Sequence, residues 1–256
     1  MTARARRIFG AAVALSVLVG GCGSAGTPAK SSTEAAPSQP TVTASHHRPP
    51  AATTTPRPRP TQSHRPTHRP RQPLVEPVTA TDLGASWHAG CPVPPERLRS
   101  VRLRYWGFDH RRHVGQLIVN VAVVTTVQRA FQQLFADRFP IRRMRPVAAY
   151  GGSDNRSMAA DNTSAFNCRY AVSNGPRSWS EHAFGEAVDL DPLENPYHLN
   201  GRVLPPAGAP YLGRSRVRPG MVVSGGRPVA IFADLGWGWG GVWSSPDYQH
   251  FSINGR

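Results

Sequence analysis

The chain has 256 residues and a formal net charge of +15, with 30 Lys+Arg against 15 Asp+Glu; Lys30 is the only lysine, so arginine carries the charge. That length suffices for one well-buried domain with flanking segments, and the charge calls for a polyanionic neighbour such as nucleic acid, anionic lipid or an acidic wall polymer. Much of it lies before residue 74, in sequence too polar to fold, which removes the main argument for nucleic acid.

In chain order, Arg4, Arg6 and Arg7 precede the apolar run "IFGAAVALSVLV", which is too short to span a bilayer comfortably and reads as the core of an export signal. It ends in "VGGC", which resembles a bacterial lipobox with Cys22 as the lipidated residue; residues 1–22 are therefore expected to be a lipoprotein signal peptide. Residues 23–73 are rich in Pro, Thr, Arg and His with almost no large apolar side chain, and are expected to form a disordered tether. Its histidines, His46, His47, His64 and His68, read as solvated linker residues. With Cys22 set aside, Cys91 and Cys168 remain as a candidate disulfide in an oxidising compartment.

Residues 74–256 are expected to form the folded domain. "GQLIVNVAVV" (115–124) reads as a strand, and the segment 125–139 as a helix with Val127, Ala130, Phe131, Leu134 and Phe135 at helical spacing, ended by Pro140. "IRRMRPVAAY" (141–150) reads as a strand and 151–168 as a loop. Further strands are expected at "EAVDLD", "PVAIFADL" and "YQHFSI". There is no internal repeat and no regular β-α-β rhythm, so the fold class is α+β.

The chemistry concentrates in two stretches. In "HAFGEAVDLDP", a strand puts Val188 and Leu190 on one face and Ala187, Asp189 and Asp191 on the other. A carboxylate in a short apolar strand is costly unless something pairs with it, so a cation is expected beside Asp189, with His182 able to share it. Near the chain's end, "SSPDYQHFS" supplies His250, with Asp247 three residues earlier. Two histidines and an aspartate make a three-ligand set for a catalytic zinc with an open fourth position, and Asp247 is placed to act as general base.

The pattern of Ser180, His182, Gly185, Ala187 and Asp189, followed by Asp247 and His250, resembles the LAS-type zinc peptidases: bacterial D-alanyl-D-alanine carboxypeptidases and dipeptidases, with the L-alanyl-D-glutamate endopeptidases. The resemblance covers roughly residues 90–256. It implies a small α+β domain whose central antiparallel sheet carries the metal, zinc held by His182, Asp189 and His250, Asp247 as catalytic base, and an arginine over the developing oxyanion. Arg169 is the first candidate for that arginine and Arg145 the second. Aspartate at 247, where the carboxypeptidase members carry glutamate, is closer to the endopeptidase branch. Ser180 reads as a substrate or metal-site contact, or equally as a cap. Trp237, Trp239 and Trp243 read either as sugar-stacking groups or as packing around the zinc strand or walling the cleft, and Asp191 and Glu194 as supports of the metal ligands or, more simply, of the turn into "NPY". His88, His110, His113 and His198 lack a partner at ligand spacing and read as surface or hydrogen-bonding groups. The implied protein is a monomeric zinc peptidase of peptidoglycan stem peptides, lipid-anchored on the outer face of the cell membrane. The competing expectation is a zinc-containing wall-binding module without catalysis.

Overall fold

A computed structural model describes residues 75–172 and 176–256. The expected signal peptide, Cys22, the linker and its histidines lie outside the described residues. The elements are β1 (Val75–Pro77), α1 (Ala80–Leu83), β2 (Leu98–Trp106), β3 (Arg112–Asn120), α2 (Val124–Ala136), α3 (Asp154–Ala159), α4 (Glu181–Phe184), β4 (Ala187–Asp189), β5 (Tyr197–Leu199), β6 (Arg202–Leu204), α5 (Arg227–Asp234), β7 (Gly238–Trp239) and β8 (His250–Ser252). Every named pairing is antiparallel, in three sheets ordered β1-β2-β3, β4-β8-β7 and β5-β6. The class is α+β, as the sequence implies.

β2 and β3 form a long hairpin from Leu98↔Asn120 to Trp106↔Arg112. In β2, Val101, Leu103 and Tyr105 are buried while Arg102 and Arg104 face out, the alternation of a half-buried strand. α2 packs Val127, Ala130, Phe131 and Leu134 into the same core, the spacing expected of it. It ends at Ala136, four residues before Pro140. Arg138 takes a left-handed φ of 54°, Phe139 N–H donates to the Leu134 carbonyl (2.9 Å) and Arg138 N–H to that of Phe135 (3.2 Å). This is a Schellman ending with arginine where glycine is usual.

Three expectations are corrected. "PVAIFADL" is the helix α5: Pro228 stands in its first turn, where the missing N–H costs nothing, and buried Ile231 and Phe232 follow at helical spacing. "IRRMRPVAAY" makes a single isolated bridge, Met144 with Thr163, before a short 3₁₀ turn at Val147–Tyr150, and Pro146 cannot donate to a ladder. The expected loop 151–168 contains α3, capped by Ser153 Oγ accepting from Arg156 N–H.

One core joins the parts that matter for the site. Val101 and Leu117 of the hairpin, Phe131 of α2, Ile231 and Phe232 of α5, Val188 and Leu190 at β4, and Phe251 of β8 share a single buried cluster. Phe232 and Phe251 stack with centroids 4.1 Å apart. Each such side chain is stabilised by roughly 1.5–3 kcal/mol on burial, so the short β4-β8 pair is held by core packing rather than by its few ladder bonds. Among the described residues no helix is long and apolar enough to cross a membrane.

Candidate active site

The site is built where β4 and β8 pair. Asp189 lies directly opposite His250, and Ala187 opposite Ser252. His182 arrives from α4, a single turn whose amino end is capped by Ser180 Oγ accepting from His182 N–H (3.3 Å). Gly185 stops the turn at φ 71°, and a Cβ there would stand 2.7 Å from the Asn120 amide nitrogen. The chain thus reverses into β4 with the His182 and Asp189 side chains on one side.

His182, Asp189 and His250 are all buried and their ligand atoms converge. His182 Nε2 lies 3.2 Å from His250 Nδ1 and 3.1 Å from Asp189 Oδ2, and His250 Nδ1 lies 3.2 Å from Asp189 Oδ1. Tetrahedral donors at zinc bond lengths of about 2.0–2.1 Å stand roughly 3.3 Å apart, so the triangle fits that ion. The far ring nitrogens reinforce the fit. His182 Nδ1–H donates to the Ala165 carbonyl (2.5 Å) and His250 Nε2–H to that of Arg256 (2.7 Å). When neutral, both rings are thereby held in the tautomer whose lone pair faces the other, an unfavourable meeting that a shared cation relieves.

Burial works to raise the Asp189 carboxyl pKa, but the charge and hydrogen bonds of the two histidines outweigh it and hold the group well below the usual carboxylate range. Asp247 goes the other way. Burial, and then the charge of Asp189, push its pKa up to about 7. Its Oδ1 is buried without a hydrogen-bond partner. Its backbone N–H donates to the Gly240 carbonyl (3.0 Å), and a Cβ at Gly240 would meet the Asp247 carbonyl oxygen at 2.8 Å, so this close approach requires glycine.

All four residues line one open cleft of about 610 Å³, together with Arg169, Asp154, Trp179, Tyr197 and Trp243. Arg169 Nε pairs with Asp154 Oδ2 at 3.0 Å; burial works to lower its pKa, but the charges of Asp154, Asp189 and Asp247 together outweigh it and raise it. Arg145 is exposed and lies outside the cleft, so of the two candidate arginines only Arg169 is brought to the site. Ser180 is both cap and cleft wall. Cys91 and Cys168 are joined in a disulfide with Cα atoms 5.8 Å apart, beside Arg169.

The tryptophans divide. Trp237 packs on Phe232 and Trp239 Nε1–H donates to the Tyr248 carbonyl, both buried, whereas Trp243 lines the cleft and faces the His250 ring at 5.4 Å. Asp191 accepts from Arg142 N–H (2.8 Å), while Glu194 lies 3.8 Å from Arg142 Nη2, both behind the site rather than in it. His88 and His113 have partners not expected from sequence, the Cys168 sulfur at 3.5 Å and Asp109 at 2.9 Å. Sequence reasoning missed Asp154, whose only signal was the Ser-Asp opening of α3, and the two carbonyls that orient the histidines, which have none.

Residues 173–253 match a family model described as D-alanyl-D-alanine carboxypeptidase. The matched stretch contains Ser180, His182, Asp189, Asp247 and His250, but not Arg169, Asp154 or either disulfide cysteine. No curated protein and no solved structure gives a significant match.

Proposed function

From that family match and this geometry, we propose that the protein is a zinc-dependent peptidase that hydrolyses an amide of peptidoglycan stem peptides, of the D-Ala-D-Ala carboxypeptidase or L-Ala-D-Glu endopeptidase type. The observation that carries the reading is the meeting, in one open cleft, of a converging His182–Asp189–His250 triangle and a buried, unpartnered carboxylate, Asp247. His182 Nε2, Asp189 and His250 Nδ1 would hold zinc, which would supply Lewis acidity to activate the attacking water and polarise the scissile carbonyl. Asp247 accepts the proton of the attacking water at its free Oδ1 and passes it to the leaving amine nitrogen as the new C–O bond forms and the C–N bond breaks. The Arg169 guanidinium, held by Asp154, stands by the cleft to offset charge building on the former carbonyl oxygen. Trp243 and Tyr197 wall the space a peptide would occupy.

The same reading takes residues 1–22 as an export signal and Cys22 as the lipid-bearing residue, so that residues 23–73 tether the domain at the outer face of the membrane, where stem peptides are found. The expectations drawn from the sequence of residues 1–73 support this part.

The test is mass spectrometry of purified muropeptides incubated with the zinc-loaded protein, its chelator-treated form and Asp247→Ala. Loss of a terminal D-alanine, or a split between L-alanine and D-glutamate, is expected from the loaded protein alone. Asp247→Ala is expected to retain zinc and to lose about 10²–10⁴-fold in turnover. A wild-type protein that holds zinc and cleaves no stem peptide would instead identify a wall-binding module.

A further inference from the structure

A second charged feature lies outside the cleft, on the hairpin and the end of α2. The Arg104 guanidinium lies over the Phe135 ring at 4.8 Å, Phe135 stacks on Trp106 at 5.7 Å, and the Arg138 guanidinium lies over the Trp106 ring at 5.2 Å. The four side chains therefore follow one another as cation, ring, ring, cation. The Trp106 Nε1–H donates to the Phe135 carbonyl at 3.0 Å, which fixes the indole between its neighbours. Arg112 sits opposite Trp106 in the hairpin, and Arg102 lies two residues from Arg104 on the same strand face. Arg102, Arg104, Arg112 and Arg138 are all exposed, and among the described residues none of them forms an ion pair. The carboxylates close by in sequence are engaged elsewhere, Asp109 with His113 and Asp137 with Arg227, each at 2.9 Å. Arg138 also holds the left-handed position that ends α2, a place glycine fills more cheaply.

Like charges gathered without counter-ions repel one another, and a guanidinium held over an aromatic ring still has N–H groups free to bind an anion. A guanidinium edge matches two phosphate oxygens in parallel hydrogen bonds. We propose that this arginine row is a docking surface for a linear phosphodiester polymer, separate from the zinc cleft. The row favours a chain over a lipid sheet for two reasons. The cations follow one another along the hairpin edge, and the two aromatic rings between them are half-buried under the guanidiniums, leaving neither ring free to enter a bilayer. The surface would hold the enzyme to an anionic polymer while the cleft, built from residues 154–256, remains open. It does not depend on the metal site or on which bond is cut.

The experiment measures binding of the full chain to poly(glycerol phosphate) across a salt series, with Cys22→Ser in every variant so that no lipid contributes. A parallel arm uses vesicles containing phosphatidylglycerol. The triple variant Arg104→Gln/Arg112→Gln/Arg138→Gln is expected to bind the polymer at least tenfold more weakly at low salt. Its slope of log affinity against log salt should be shallower by about 2, as for three lost phosphate contacts on a flexible strand. A charge-matched control, Arg129→Gln/Arg156→Gln/Arg216→Gln, should stay within about threefold of the parent, and Arg104→Lys/Arg138→Lys should fall between, since charge is kept and the planar fork lost. An equal loss in the control, an unchanged triple variant, or binding to vesicles but not to polymer would each overturn the proposal. Unchanged zinc content in the triple variant separates loss of the surface from loss of the fold.

Discussion

Asp154 Oδ2 lies 3.0 Å from Arg169 Nε as an ion pair, although that N–H is not aligned for a hydrogen bond, and Asp154 Oδ1 accepts from Asn167 Nδ2 at 3.4 Å, so the Asp154 charge holds the guanidinium beside the cleft. Breaking a partly buried ion pair of this kind costs about 1–3 kcal/mol. Asp154→Asn is therefore expected to lower kcat roughly 10–100-fold with KM little changed and zinc retained, and Asp154→Glu to recover part of it. Steady-state kinetics beside metal analysis checks this, and a variant that loses zinc along with kcat would show a structural role instead. At this scale legibility followed side-chain chemistry. Asp189 stood out because a carboxylate is expensive in an apolar strand without a partner, and His182, His250 and Asp247 because they complete a metal-ligand set and a base around it. The Ala165 and Arg256 carbonyls, which set the histidine tautomers, were invisible because a backbone oxygen leaves no mark on the sequence.

At the scale of elements, the decisive piece is the single turn α4 and its stop at Gly185. Alanine at 185 would need φ near 71° and a Cβ pressed to 2.7 Å from the Asn120 nitrogen, which itself donates to the Gly185 carbonyl at 2.9 Å. The left-handed conformation alone costs about 1–2 kcal/mol, and the clash adds to it. Gly185→Ala is expected to lower the denaturation midpoint and to weaken zinc binding, since any shift of the turn moves His182; competition with a chromophoric chelator reads the second effect. The elements that sequence reasoning misplaced share a cause. "PVAIFADL" has the β-rich look of a strand, yet its buried positions repeat at helical spacing and its proline sits where a helix tolerates one. β2 was not anticipated although its apolar and arginine positions alternate. β4 and β8 were recognised, but each is only three residues long, because their stability comes from Val188, Leu190 and Phe251 in the shared core rather than from strand length.

For the molecule as a whole, the expected class and the pairing of Cys91 with Cys168 hold, but the single central sheet resolves into two three-stranded sheets and a small hairpin, with two buried hydrophobic clusters among the described residues. The disulfide closes a separation of 77 residues, for which chain entropy gives up to about 4 kcal/mol. Cys168→Ser is expected to lower the melting temperature and turnover while zinc content stays constant.

Stability should also depend on pH through a buried group far from the zinc triangle. Glu194 is buried; that burial, and then the charge of Asp161, push its pKa up to about 7. Its Oε2 has no hydrogen-bond partner, while Oε1 accepts from the Tyr211 hydroxyl at 3.4 Å and lies 3.8 Å from Arg142 Nη2. The folded protein therefore holds a proton that the unfolded chain releases near pH 4.5. The stability this contributes is fully present below that pH and is lost as pH rises through about 7, at up to roughly 1.4 kcal/mol per unit of pKa difference. Neighbouring Asp191, raised well above its ordinary value by burial and by Asp161, acts in the same sense. Glu194→Gln carries the neutral form at every pH, so its advantage over the parent should be near zero at and below pH 4.5, grow between there and about pH 7, and level off above. Denaturant midpoints of the chelator-treated pair across that range measure the difference directly, with the zinc ligands' own protons cancelling between the two. A constant gap between the proteins would place the proton on a different group.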